Sequence, residues 1–191
     1  MYEVEVKLPA DHEAVRERLV DAGAAHESSV TQRDTYYGAP HRDFAETDEA
    51  LRVRRETRYP GETTDPDEGD GSETTTKLTY KGPRVDADSK TRTEHETVVG
   101  DDESADGVLS GLGFEPVATV EKERDFYRLD GYTVTLDAVT DLGEFVEVET
   151  AARSEDEIDA ARDGAFAVLR DLGLDPDDQI RTSYLGLLLD D

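Results

Sequence analysis

The 191-residue sequence has no cysteine, no tryptophan and a single methionine. Without cysteine it has no disulfide, no thiolate nucleophile and no thiolate zinc site. No apolar stretch approaches the roughly 20 residues a helix needs to cross a bilayer. The opening MYEVEVKLP lacks the basic start and apolar centre of a signal peptide. These absences lead us to expect a soluble cytoplasmic protein with no membrane partner.

Positive charge is scarce too, with Lys+Arg 21 against Asp+Glu 48, a net charge of -27 and a sequence pI near 4.3. Most of such a surface repels nucleic acid and anionic lipid, because phosphate binding needs a basic patch that displaces counterions. No nucleic-acid partner is expected, and any phosphate ligand must meet a local exception. An acidic excess of this size suits a protein working in molar salt, where screening relieves self-repulsion. A halophilic source is the expectation, and under it most carboxylates serve solvation. The hydrophobic share is 35%, arranged in recurrent short alternations, so the chain reads as folded rather than as a disordered acidic tail. Its length is that of one domain over residues 1–191.

Only five lysines remain against sixteen arginines: Lys7, Lys77, Lys81, Lys90 and Lys122. Four of them fall in strand patterns, where apolar and polar residues alternate over four to eight positions. In YEVEVKL (2–8), Glu3, Glu5 and Lys7 oppose Val4, Val6 and Leu8. VTQRDTYY (30–37) is a β-rich run. In ALRVRRE (50–56), Arg52 and Arg54 oppose Leu51 and Val53, and in TKLTYKG (76–82), Lys77, Thr79 and Lys81 oppose Leu78 and Tyr80. TRTEHETVV (91–99) aligns Arg92, Glu94 and Glu96, and TVEKERDFYRL (119–129) carries Lys122 and Arg124 in register. YTVTLDAV (132–139) aligns Thr133, Thr135 and Asp137, and GEFVEVET (143–150) aligns Phe145, Glu147 and Glu149.

About eight strands result, most with one aliphatic face and one face bearing both signs of charge. Two architectures satisfy this pattern. One is an open sheet with a solvated polar face. The other is a closed antiparallel barrel whose apolar face is turned outward under helices and whose charged face lines a wet interior. Covering helices are available. Residues 11–23 start with Asp11 in N-cap position, place Val15, Leu19 and Val20 on one stripe and end at Gly23. Residues 104–113 are a shorter candidate weakened by glycine. Residues 154–172 open with a Ser154 cap and Glu157 three positions on, followed by Ile158, Ala161, Ala165, Val168, Leu169 and Leu172 at helical spacing. Residues 182–189 look like a closing helix. Residues 59–75 form a turn-rich acidic insertion between two strands.

Two Glu-x-Glu pairs, Glu3/Glu5 and Glu147/Glu149, offer carboxylate oxygens suited to a hard cation such as Mg²⁺, which takes the rest of its shell from water and substrate phosphates. Arginine and lysine on neighbouring strands suit the phosphates themselves. Histidines His12, His26, His41 and His95 are scattered and offer no ligand set. Tyr36, Tyr37, Tyr80 and Tyr127 read as wall and core packing.

The order EVEVKL, QRDTYYG, ALRVRRE, KLTYKGP, RTEHE, VEKERDFY, VTLDAV, LGEFVEVE and SYLGLL resembles the CYTH superfamily, the triphosphate tunnel metalloenzymes, and within it the class IV adenylyl cyclase type. The resemblance runs from Glu3 to about Leu188. It implies an α+β protein built on an eight-stranded antiparallel β-barrel that binds a triphosphate with Mg²⁺ or Mn²⁺. Glu3, Glu5, Asp137, Glu147 and Glu149 then correspond to metal ligands. Lys7, Arg52, Arg54, Lys77, Lys122 and Arg124 correspond to phosphate-binding cations. Lys81, Arg92, Glu94 and Glu96 correspond to tunnel-lining positions. Together with Lys7, the five acids are the catalytic set the resemblance implies. The DTYY segment, with Asp34 and Tyr36, departs from the pattern in ending at Gly38, where relatives often carry an acid. The implied substrate is ATP or another triphosphate, and a homodimer is a compatible assembly. The implied reaction is cyclisation to cyclic AMP and pyrophosphate. Two alternatives stay open: a phosphohydrolase of tripolyphosphate, thiamine triphosphate or nucleoside triphosphates, and a non-catalytic polyphosphate- or nucleotide-binding module.

Overall fold

The computed structural model describes residues 2–60, 71–85 and 91–189. Eight antiparallel strands close on themselves in the order β1-β5-β4-β3-β2-β6-β7-β8. They are β1 (Tyr2–Pro9), β2 (Ala25–Gly38), β3 (Ala50–Pro60), β4 (Glu73–Arg84), β5 (Arg92–Val99), β6 (Glu115–Leu129), β7 (Tyr132–Val139) and β8 (Gly143–Ala152). Among the described residues five α-helices accompany them: α1 (His12–Asp21), α2 (Phe44–Thr47), α3 (Asp102–Gly111), α4 (Ile158–Asp171) and α5 (Tyr184–Leu189). The closed barrel is therefore the architecture adopted. Strands β2 and β6 begin earlier than their alternation announces, and β3 and β4 extend into both ends of the acidic segment at 59–75. Residues 61–70 of that segment, and Lys90, lie outside the described residues.

The apolar face is turned outward, as the pattern of aliphatic and charged faces requires. Val6 and Leu8 of β1, Leu136 of β7 and Val146 and Val148 of β8 pack under Val15 and Leu19 of α1 and Ala165, Val168 and Leu169 of α4. A second layer places Leu109 of α3 on Tyr37, Leu51 and Val53. Most of the hydrophobic core thus surrounds the barrel, while a smaller cluster of Tyr36, Val120, Val139, Phe145 and Tyr184 packs on inward faces at one end, and the rest of the interior is left to the charged side chains.

Local signals start and stop the helices. The Asp11 side chain accepts from the Ala14 amide at 2.9 Å, and Gly23 (φ 74°) supplies the left-handed residue that ends α1. An Asp130–Gly131 pair, with φ of 50° and 84°, makes the tight β6–β7 hairpin. Two expectations are corrected. Val20 is 73% exposed, because the buried stripe of α1 runs through His12, Val15 and Leu19. Ser154 makes no side-chain cap; the segment opens as a 3₁₀ turn at Glu155–Glu157, and Glu157 instead accepts from the Arg153 amide at 2.8 Å.

Leu169 is fully enclosed between α4 and the barrel. Leu169→Ala should lower unfolding free energy by about 3 kcal/mol, and Val20→Ala should stay within about 0.5 kcal/mol of wild type. Urea unfolding of the two variants checks both, and equal losses would contradict the outward-core arrangement.

Candidate active site

Side chains alternate along each strand, so the face opposite the outer core points inward. Glu3, Glu5 and Lys7, Arg52 and Arg54, Lys77 and Lys81, Arg92, Lys122 and Arg124, and Glu147 and Glu149 all line one cavity of ≈ 330 Å³. Strand register brings the ends of the sequence together: Lys7 stands opposite Glu147, and Glu5 opposite Glu149.

The cationic wall is held from behind. Asp34, fully buried, accepts two 2.6 Å bonds from Arg54 and one at 3.4 Å from Arg52. Burial alone would push this carboxyl up, yet Arg54 and Arg52 outweigh it and hold it well below the usual carboxylate range. On the neighbouring β6–β7 pair both oxygens of Asp137 accept from Arg124, which also donates to Glu147. Burial disfavours the charged Arg124, and Asp137 and Glu147 reverse the effect. The Tyr184 hydroxyl of α5 donates to Asp137 at 2.9 Å, and its ring lies 3.8 Å from the Lys7 ammonium and 5.1 Å from that of Lys122. The C-terminal segment is pinned there by the Ile180 amide, which donates to the Lys7 carbonyl at 2.7 Å.

Lys122 is only partly compensated. Burial, reinforced by Arg124, lowers its pKa to about 8 against the pull of Asp137 at 3.6 Å. Lys81 behaves oppositely: Glu3 at 2.7 Å and Glu94 at 2.9 Å overcome burial and raise it. Lys77 reaches Glu96 at 3.4 Å and Glu56 at 3.7 Å, and Arg92 is turned to Asp48, donating to its carbonyl at 2.7 Å.

The glutamates of β1 and β8 form the opposite pole. Burial raises Glu149 to about 7, with Glu3, Glu147 and Glu5 adding to the effect against Arg124, and burial also raises Glu3. Among the described residues no three acidic or histidine side chains are already drawn into a metal cage. The donor chemistry nevertheless fits a hard divalent cation, since crowded, desolvated carboxylates repel one another until a cation intervenes.

Every residue selected from the sequence as a site residue reaches this cavity wall except Asp137. That side chain is 0% exposed and is taken up by Arg124, Lys122 and Tyr184. Sequence reasoning missed Gln32, Glu56, Arg58 and Phe126, which line the cavity as well. Their signal was available, because Glu56 and Arg58 continue the alternation of Arg52 and Arg54, and Phe126 that of Lys122 and Arg124. Tyr184 gave no such signal; it enters from a helix, not from a strand face.

Residues 1–184 match the family model of the CYTH domain. A Methanocaldococcus jannaschii protein, "Putative adenylate cyclase MJ0240", is 35% identical over 188 residues, with 98% of each chain covered. The solved PH1819 protein of Pyrococcus horikoshii shares 37% identity and a TM-score of 0.86, with 98% of each chain covered. HpAC1 of Hippeastrum, whose structure report names a dominant triphosphatase activity, has the same fold at 17% identity and TM-score 0.62, over 99% of this chain and 95% of that one.

The depressed Lys122 gives a pH signature. Its ammonium is present below about pH 8 and is lost above it, so metal-free binding of tripolyphosphate should weaken as pH rises through that value, by up to about tenfold per unit. Calorimetric titration across this range should show a break near pH 8 in wild type that Lys122→Arg removes; the same pH profile in wild type and variant would contradict the assignment.

Proposed function

Because the chain belongs to the CYTH domain family, we propose that it is a divalent-metal-dependent, triphosphate-processing enzyme of the class IV adenylyl cyclase type, converting ATP to cyclic AMP and pyrophosphate. The observation that carries this reading is the two-pole cavity, in which cations from β1, β3, β4 and β6 face glutamates from β1 and β8. A polyanion and a hard cation need these two poles side by side. The naming of the M. jannaschii relative supports the choice of reaction.

Arg52, Arg54, Lys122 and Arg124 hold phosphoryl oxygens, and Lys7 adds a point charge between Glu147 and the Tyr184 ring. The Arg52 Nε–H is buried without an acceptor among the described residues, a donor that an anionic oxygen would satisfy. Lys77, Lys81 and Arg92 contribute to the cationic field while tied to Glu56 and Glu96, to Glu3 and Glu94, and to Asp48. Glu3, Glu5, Glu147 and Glu149 would hold Mg²⁺ or Mn²⁺, which when bound neutralises charge developing on the departing pyrophosphate. Asp137 is assigned to positioning Arg124 and Tyr184, because its oxygens already accept from both.

In cyclisation the ribose 3′-oxygen bonds to the α-phosphorus as its proton leaves, and the bond to the bridging oxygen breaks to release pyrophosphate. The cationic wall supplies orientation for in-line attack and preorganised charge. Hydrolysis of the terminal phosphate is the second reading, and the same barrel accommodates it in HpAC1. The charge of -27 further supports a halophilic source.

Phosphorus NMR of the protein with Mg²⁺ or Mn²⁺ and ATP should show pyrophosphate and cyclic AMP, and chelator should stop the reaction. Orthophosphate from ATP or tripolyphosphate would replace cyclisation with hydrolysis. Resonances that shift without turnover would leave only a binding module. Glu147→Gln should lower turnover by about a hundredfold or more; a near-normal rate would remove Glu147 from the metal pole. Urea midpoints should rise between about 0.1 M and about 2 M KCl as surface repulsion is screened, and a fixed midpoint would contradict the halophilic reading.

A further inference from the structure

Along β3 the two arginines of the cationic wall are followed on either side by an acid. Glu56 lies two positions beyond Arg54, and Asp48 lies past Ala50, in the turn between α2 and the strand. Both acids line the charged cavity. Glu56 accepts from the Gln32 amide at 2.6 Å and draws in Arg58 at 3.3 Å and Lys77 at 3.7 Å. Asp48 gathers cations at the opposite end. It closes α2 with a left-handed backbone (φ 53°), uncommon for a residue that carries a side chain. The buried Arg92 finds two acceptors there, the Asp48 carbonyl at 2.7 Å and its carboxylate at 3.2 Å. Arg84 approaches the same carboxylate oxygen at 3.5 Å. Glu49 has a different set of partners, Arg42 at 2.7 Å with the hydroxyls of Thr47 and Tyr80, and is not the acid that holds Arg92.

We propose that Asp48 limits the length of the phosphate chain the barrel accepts, by occupying the cations that a fourth phosphoryl group would need. This inference deepens the triphosphate reading and rests on it. Three phosphoryl groups are served by Arg52, Arg54, Lys122 and Arg124. A longer inorganic chain running past Arg52 towards α2 meets the uncharged Ala50 and then depends on Arg92 or Arg84, both of which Asp48 holds. Lys81, on the same side of the wall, is held by Glu3 and Glu94. A chain running the other way meets Glu56. Each acid thus takes up a possible phosphate partner and places negative charge where the chain would continue. Charge-assisted hydrogen bonds to a guanidinium are roughly twice as strong as neutral ones, so a phosphate must displace a strong partner to recruit Arg92. The left-handed turn fits this role: unfavourable backbone is kept where it holds a functional group in place, and here it presents carbonyl and carboxylate to one guanidinium. An uncharged ester group on the terminal phosphate needs neither cation, so the limit acts on charged extension alone.

The test compares tripolyphosphate with tetrapolyphosphate by calorimetry in chelator, where no metal-dependent turnover intervenes. Asp48→Gly removes the carboxylate while glycine tolerates the left-handed turn and keeps the carbonyl, and Asp48→Asn removes only the charge. Wild type should bind tetrapolyphosphate no more tightly than tripolyphosphate. Asp48→Gly should tighten tetrapolyphosphate by about tenfold and leave tripolyphosphate within about twofold, which also reports that the variant folds; Asp48→Asn should change tetrapolyphosphate in the same direction. Adding Arg92→Gln to Asp48→Gly should cancel the gain, since the freed guanidinium is its source. Unchanged tetrapolyphosphate affinity in both single variants overturns the inference and leaves the triphosphate reading intact. An equal gain for both compounds overturns it as well, by reducing Asp48 to a contribution to the general field. Loss of tripolyphosphate binding in both single variants does so too, by making Asp48 part of the site it is said to bound. Failure of the wild type to bind either compound removes the triphosphate reading, and this inference falls with it.

Discussion

Burying charge inside a barrel is costly, and this fold depends on how that cost is offset. Arg52 and Arg54 are nearly solvent-free, and Asp34 behind them offsets the cost of burying their charge; Arg124 stands in the same relation to Asp137 and Glu147. Asp34 and Asp137 are given over to orienting cations. Removing one member of such a group leaves an uncompensated buried charge, a loss of about 3–5 kcal/mol. Asp34 and Asp137 therefore matter to a ligand they need not touch: they keep guanidinium groups aligned and preorganised for an incoming anion.

The outer core is the counterpart of this interior. Because α1, α3 and α4 bury most of the aliphatic surface from outside, hydrophobic filling is confined to one end of the barrel, around Tyr36, Val120, Val139 and Phe145, and the remaining interior stays available for a polar ligand. The acidic exterior and the cationic wall do not conflict, since the phosphate-attracting charges are gathered where low dielectric strengthens them and solvent carboxylates are screened. Inside, sorting of charge by strand produces the two poles. Arginine and lysine come chiefly from β3, β4 and β6, and the paired glutamates come from the β1–β8 seam.

Much of this was legible in the sequence because strands have a period of two. Once Val4, Val6 and Leu8 are placed outside, Glu3, Glu5 and Lys7 must point in, and the same reasoning carries Arg52, Arg54, Lys122, Arg124, Glu147 and Glu149 to the cavity. What stayed hidden depended on contacts between distant elements. Nothing local distinguishes Asp137, bound under Arg124, from Glu147, exposed to the cavity, since both lie on inward faces. Tyr184 meets Asp137 only because the chain after α4 returns to β1 through the Ile180 amide. The four-residue α2 is too short to leave a periodic signal. Val20 failed for a related reason: helical spacing gives a stripe, but the neighbouring sheet decides where that stripe ends.

The central claim is that metal and phosphate occupy separate, adjacent poles of one interior. Crystals grown with Mn²⁺ and tripolyphosphate, measured at the manganese absorption edge, test it most directly. The account predicts anomalous density among Glu3, Glu5, Glu147 and Glu149, with phosphate oxygens on Arg52, Arg54, Lys122 and Arg124. Manganese bound at Asp137, or at carboxylates outside the barrel while the phosphates sit within it, would contradict the account.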